Sequence, residues 1–151
     1  MRSMKVLAIV AMGSAAVLAG CGKAGEDFQN CILSKVTSNT NQNTIKVIQQ
    51  ACAQKYQTQL PQEAVDKLKG RAGQSLIGFR INVNNRNDNW TVTEIEFYVT
   101  KGASQDRTPY RQNVYILPLQ KDGFWPNITN EPKEQDDFNW GIIKAWGVPS
   151  K

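Results

Sequence analysis

The run Ile77-Gly78-Phe79-Arg80-Ile81-Asn82-Val83 leads through Asn84-Asn85-Arg86-Asn87-Asp88-Asn89 into Trp90-Thr91-Val92-Thr93-Glu94-Ile95-Glu96-Phe97-Tyr98-Val99. Alternation with a period of two puts Ile77, Phe79, Ile81 and Val83 on one face of a half-buried strand. The asparagine-rich stretch reads as a turn, because Asn and Asp side chains bond nearby backbone and tolerate left-handed conformations. A second strand runs from Trp90 to Lys101, with Ile95, Phe97 and Val99 on one face. Trp90 and Val92 have the opposite parity, so this strand is either buried on both faces or broken by a bulge.

Working outward, a β half spans residues 73–148 and holds eleven of the thirteen aromatics, including all four Trp. Residues 114–119 read as a third strand, and Pro118 places it at an edge, where it cannot break an inner ladder. Lys121-Asp122-Gly123 reads as a turn, and 124–137, with Pro126 and Pro132, as a long exposed loop. A last strand over 138–148 sets Trp140, Ile142 and Trp146 on one parity. Four or five antiparallel strands with one apolar face predict a small sheet or a partial β-sandwich.

Before the strands, residues 28–70 carry a helical period. Phe28, Cys31, Ile32 and Val36 share one helix face, and Ile45, Ile48, Cys52 and Tyr56 share another. The polar run Thr37-Ser38-Asn39-Thr40-Asn41-Gln42-Asn43-Thr44 between them suits a turn and an N-cap. Antiparallel helices joined there bring Cys31 and Cys52 within reach of each other, so the pair is expected as a disulfide staple worth about 3 kcal/mol by the chain-entropy model. A redox-active pair is the competing reading, but such dithiols sit as Cys-x-x-Cys. A third short helix is expected with Pro61 in its first turn, Ala64, Val65 and Leu68 inward, and Gly70 at its end. The fold class is therefore α+β: a disulfide-stapled helical hairpin and a short helix, followed by an antiparallel β domain.

Residues 1–20 have a basic start at Arg2 and Lys5, an apolar run from Val6 to Leu18, and small residues at Ala19 and Gly20. That is the layout of a secretory signal, and it is too short for a good membrane-spanning helix. The tetrapeptide Leu18-Ala19-Gly20-Cys21 resembles the lipobox of bacterial lipoproteins. The resemblance implies cleavage before Cys21 and acylation of that residue, with palmitate-type chains that anchor the protein in a bilayer; an ordinary signal peptide cut elsewhere is the alternative. Gly22 stands where an Asp typically retains such lipoproteins at the inner membrane, which favours the outer membrane, on its periplasmic or surface face. Residues 21–27 are then a lipidated tether, at most about 20 Å long if extended, so the domain and its partner, expected to be another envelope protein, lie close to the membrane. Removing Arg2 and Lys5 takes the eighteen basic residues to sixteen against thirteen acidic ones, a formal +3 in place of +5.

Two weaker resemblances accompany this one. The segment from Asn30-Cys31-Ile32-Leu33 to Gln50-Ala51-Cys52-Ala53-Gln54-Lys55-Tyr56 is similar to two-cysteine helical hairpins of bacterial membrane-anchored proteins, which supports the hairpin and implies nothing catalytic. The order Asn-Asn, polar turn, Trp-x-Val-x-x-Ile-x-Phe resembles immunoglobulin-like domains of bacterial envelope proteins.

The chain has no His, so a Ser-His-Asp triad, a Cys-His pair and a His-based zinc site are excluded. No metal site and no cofactor are expected. The linear sequence shows no Lys/Arg cluster or stripe, which argues against nucleic acid. Glu94 and Glu96 share a strand face about 7 Å apart, a spacing compatible with a carboxylate hydrolase of cell-wall or glycan substrates; a plain solvated face is the other reading. Glu131, Glu134, Asp136 and Asp137 lack the spacing of a calcium loop. Trp140 and Trp146 read as core, whereas Phe124-Trp125-Pro126 at a loop start reads as a contact patch. The favoured function is a non-enzymatic, membrane-proximal interaction module. A strand-adding ligand at the edge near Pro118 is a third possibility, since main-chain pairing leaves little trace in sequence.

Overall fold

The computed structural model describes residues 21–104 and 106–150; the expected signal segment, 1–20, lies outside them, as does the side chain of Cys21. The chain is α+β, with helices α1 (Cys21–Leu33), α2 (Gln42–Tyr56) and α3 (Gln62–Asp66). The strands are β1 (Thr58–Gln59), β2 (Leu68–Ser75), β3 (Gly78–Asn85), β4 (Trp90–Lys101), β5 (Pro109–Ile116), β6 (Lys121–Phe124) and β7 (Phe138–Pro149). They form two antiparallel sheets, ordered β1-β7-β4-β5 and β2-β3-β6.

The two sheets face each other across one core. Phe79, Ile81 and Val83 of β3 meet Val92, Ile95 and Phe97 of β4, all essentially buried. Phe79 stands edge-on to Phe138, and Phe97 packs against Phe124. The hairpin forms a third layer. Cys31 and Cys52 are bonded, with Cα atoms 5.9 Å apart, and Phe28, Cys52 and Ala53 close over Val148 and Tyr115 on the outer face of the four-stranded sheet. Asn41 caps α2, its Oδ1 accepting the Thr44 N–H at 2.9 Å; without that bond an orphan donor at the helix start would need water.

Two bulges set which residues point inward. Between Val92 and Glu94 the register shifts, so Val92 and Ile95 both reach the core although their parities differ. Both readings of this strand are realised: it is bulged, and Thr91, Thr93 and Glu96 are buried on the side away from the core as Val92, Ile95 and Phe97 are within it. A second shift, opposite Glu96 and Phe97, leaves Ile143 as the extra residue of β7. Trp140 and Ile142 pack on the core, and beyond the bulge Ala145 takes over. Trp146 is thereby turned to the outer face, so the expectation that it shares a face with Trp140 is corrected.

Other boundaries differ from the sequence reading. The segment 21–27 belongs to α1 and is helical, so it spans about 9 Å at a rise of 1.5 Å per residue, rather than an extended 20 Å. Pro61 is the N-cap of α3, which stops at Asp66; Leu68 and Gly70 lie in β2. Five residues are too few to hold a helix by themselves, and pairing with β3 captures the rest. The β domain accordingly begins before residue 73. Gly70 is needed there for close approach, because a Cβ would sit 2.6 Å from the Trp140 ring and from the Asn82 carbonyl. Lys121-Asp122-Gly123 is strand rather than turn, paired with Asn84, Val83 and Asn82. β5 starts at Pro109 and is an edge strand, as expected from Pro118, which follows it.

The asparagine run is not a solvated turn. Asn85 and Asn87 are buried. Asn85 Nδ2 donates to the carbonyls of Trp90, Ile116 and Leu117 at 2.7, 3.2 and 3.1 Å, and Asn87 Nδ2 to that of Ala64 at 3.0 Å. Asn85 Oδ1 accepts from Asn87, so both amides are satisfied, as buried polar groups must be. The pair ties the β3–β4 and β5–β6 connections to α3.

Candidate functional site

Glu94 and Glu96 project from β4 onto the outer face of the four-stranded sheet, where the ladder brings Arg111 and Lys144 beside them. Arg111 Nε is 3.0 Å from Glu96 Oε2, its Nη1 is 3.3 Å from Glu94 Oε1, and Lys144 Nζ is 3.8 Å from Glu96 Oε1. Gln57 Nε2 donates to Glu94 Oε2 at 3.0 Å, and Gln57 Oε1 accepts from the Thr93 hydroxyl. The Arg111 guanidinium also lies 4.4 Å from the ring centre of Trp146, the tryptophan that the β7 bulge turns to this face. Every oxygen of the two carboxylates is matched to a donor or cation. Through Arg111, Lys144 and Gln57 the pair ties neighbouring strands of the sheet to the end of the hairpin.

The acidic residues of 124–137 disperse. Glu131 accepts the backbone N–H of Phe79. Asp136 Oδ2 accepts the Lys133 N–H at 2.8 Å and lies 3.3 Å from Lys101 Nζ. The backbone donor first, and the two lysines after it, hold the Asp136 carboxyl below its ordinary range. On the hairpin side, burial pushes the Tyr115 phenol up.

The expected aromatic patch is reduced to one residue. Phe124 packs inward against Phe97, Pro126 is buried, and only Trp125 is exposed, at 48 %. Phe124 ends β6 at a register position facing the core, opposite Ile81, and that assigns its side chain to the interior. Trp125 is covered on one side by the Arg80 guanidinium, 4.7 Å from its ring centre, a favourable cation–π contact.

Arg80 leads to a feature absent from the linear reading. On the outer face of the three-stranded sheet a groove of about 610 Å³ is lined by five cations, Lys69, Arg71, Arg80, Arg86 and Lys121, with one carboxylate, Asp122. Register explains the convergence. Lys69 and Lys121 flank Asn84 on one rung, Arg71 and Gly123 flank Asn82 on the next, and Gly73 pairs with Arg80 beyond. At strand spacings of about 4.8 Å and 3.4 Å per residue, the Cα atoms of these rungs span about 10 by 14 Å. Among the described residues none of the five cations has an ion-pair partner. Arg80 Nε is buried without a hydrogen-bond partner. The guanidinium lies over Gly123, where any Cβ would strike its Nε and Nη2 at 2.7 Å. The signal for this cluster was present as alternation, Lys69-x-Arg71 and Arg80-x-Asn82-x-Asn84-x-Arg86, but Lys121 is thirty-five residues from Arg86, and only strand pairing joins them.

No protein-family model matches the chain, and no curated protein and no solved structure matches it. Among the described residues no helix is long and apolar enough to cross a membrane, and no three His, Cys, Asp or Glu residues cluster as metal ligands.

Proposed function

We propose that this protein is a lipid-anchored component of the bacterial cell envelope, acylated at Cys21, that acts as a non-enzymatic interaction module held close to its membrane. The observation carrying this reading is the contrast between two charged faces. Glu94 and Glu96 are neutralised by Arg111 and Lys144, whereas the five cations of the groove have no ion-pair partner among the described residues. Uncompensated charge on an open face attracts an oppositely charged partner and speeds encounter; carboxylates tied to a guanidinium have their lone pairs already occupied.

The anchor's position supports a membrane-proximal role. Gly25 packs on the Pro149 carbonyl at the end of β7, and Cys21 begins the same helix about 6 Å upstream. Pro149 pairs with Trp90, whose carbonyl accepts from Asn85, which also binds the Leu117 carbonyl. That end of the molecule therefore also carries Leu117 and Leu119, exposed at 44 % and 70 %, side chains suited to the edge of a bilayer. Gly22 favours the outer membrane, and another envelope protein is the expected partner.

The test is cross-linking in intact cells, with affinity recovery and mass spectrometry, of wild type, Cys21→Ala, Lys69→Glu/Arg71→Glu and Glu94→Gln/Glu96→Gln. One abundant envelope protein recovered with wild type and the Glu variant, and lost from the other two, is the expected result. Recovery of bulk lipoproteins alone removes the interaction reading. An activity on cell-wall or glycan substrates that vanishes in the folded Glu variant replaces it with a hydrolase.

A further inference from the structure

We infer that the groove on the three-stranded sheet is a binding site for the phosphoryl group of a small phosphoester. This rests on the interaction reading above and gives that face a ligand chemistry. Cations alone on a sheet are common and are usually solvated; three features distinguish these. The charges stand at the rim, on Lys69, Lys121 and Arg71, while the floor between them is Asn82 and Asn84, whose amides make no hydrogen bond among the described residues and supply N–H donors beneath a bound oxyanion. Arg80 is already oriented, pinned between the Trp125 ring and Gly123, so little rotamer freedom is lost when its planar fork meets phosphate oxygens. Its Nε is buried and unpartnered, a cost that a fold tolerates where a ligand satisfies the group.

Size bounds the ligand. Rungs about 7 Å apart and flanking strands about 10 Å apart admit one or two phosphoryl groups, on the scale of a phospholipid head or a small phosphoester. Asp122 is outnumbered five to one by the cations, and it stands opposite core-facing Val83, at the parity opposite to Lys121 and Gly123, so its side chain leaves from the other face of β6. Both a lipid head and a free phosphoester present the same oxyanion, and the experiment separates them.

The full chain as purified from membranes is reconstituted in nanodiscs of pure phosphatidylcholine and titrated with inorganic pyrophosphate. Binding is read from tryptophan emission, with Trp125→Phe as the background. Saturable binding is expected, weakened about tenfold by Arg80→Gln or by Lys121→Gln at an exposed position, each removing one charge-assisted contact, and unchanged by Arg107→Gln, a cation that lies over Tyr98 elsewhere. In nanodiscs of equimolar phosphatidylcholine and phosphatidylglycerol, loss of pyrophosphate affinity identifies the lipid head as the ligand; retained affinity identifies a free phosphoester. No saturable change, or equal weakening by Arg107→Gln, overturns the site. The mass of the Cys21 peptide reports acylation separately, and the same titration in buffer tests the groove on an unacylated chain, so failure of the anchor and failure of the groove are distinct results.

Discussion

Asp136 carries a carboxyl whose charged form is favoured by folding, through the Lys133 N–H and the Lys101 and Lys133 charges. Its folded pKa lies below its unfolded one, so this contribution is present above the ordinary Asp range and is lost as pH falls through the depressed value. Wild type is therefore expected to outlast Asp136→Asn in urea at neutral pH, with the gap closing below about pH 4, as urea melts across pH would show. The side chain is only half-buried, so solvent screens it and the gap is small. At this scale the sequence was a partial guide. Asn85 and Asn87 have the residue type of a turn, but Asn85 closes β3 and only Asn87 lies in the connection, and their burial came from α3 and the β5–β6 connection lying over them. Glu94 and Glu96 shared a face as read, yet their role followed from Arg111 on the neighbouring strand.

Among the elements, the α1–α2 hairpin depends most on a single bond. The loop closed by Cys31 and Cys52 removes about 3 kcal/mol of unfolded-state entropy, comparable with the whole stability of two short helices. Cys31→Ala/Cys52→Ala is expected to lower the unfolding free energy by about that amount and to speed amide exchange throughout α1 and α2 while β3, β4 and β7 stay protected. Equal loss of protection in the strands would show the staple to serve the entire fold. Hairpin, staple and β4 were legible because their patterns are local: helical spacing around each Cys, and alternation along one strand. The end of α3 was not, since the helical pattern of Ala64, Val65 and Leu68 continues past Asp66 and only pairing with Asn82–Asn85 converts residues 68–75 to strand.

For the molecule as a whole, three layers enclose two separate cores, a large one between the sheets and a small one of Phe28, Cys52, Ala53 and Val148 under the hairpin. Phe28 is 1 % exposed and supplies much of the smaller core, so Phe28→Ala is expected to cost about 3 kcal/mol, nearly all of it in docking. Hydrogen exchange would then find the hairpin released while the sandwich opens as before; coincident opening would mean that the cores act as one. The α+β class, the stapled hairpin, the alternating strands and the exclusion of histidine chemistry were all determined by the sequence itself, because each depends on residue type and near-neighbour spacing. The tertiary structure alone decided the outward turn of Trp146, the neutralisation of Glu94 and Glu96, and the basic groove. Alternation states which residues share a face of one strand, but the neighbours across that face come from strand order, and strand order is set by contacts between residues far apart in the chain.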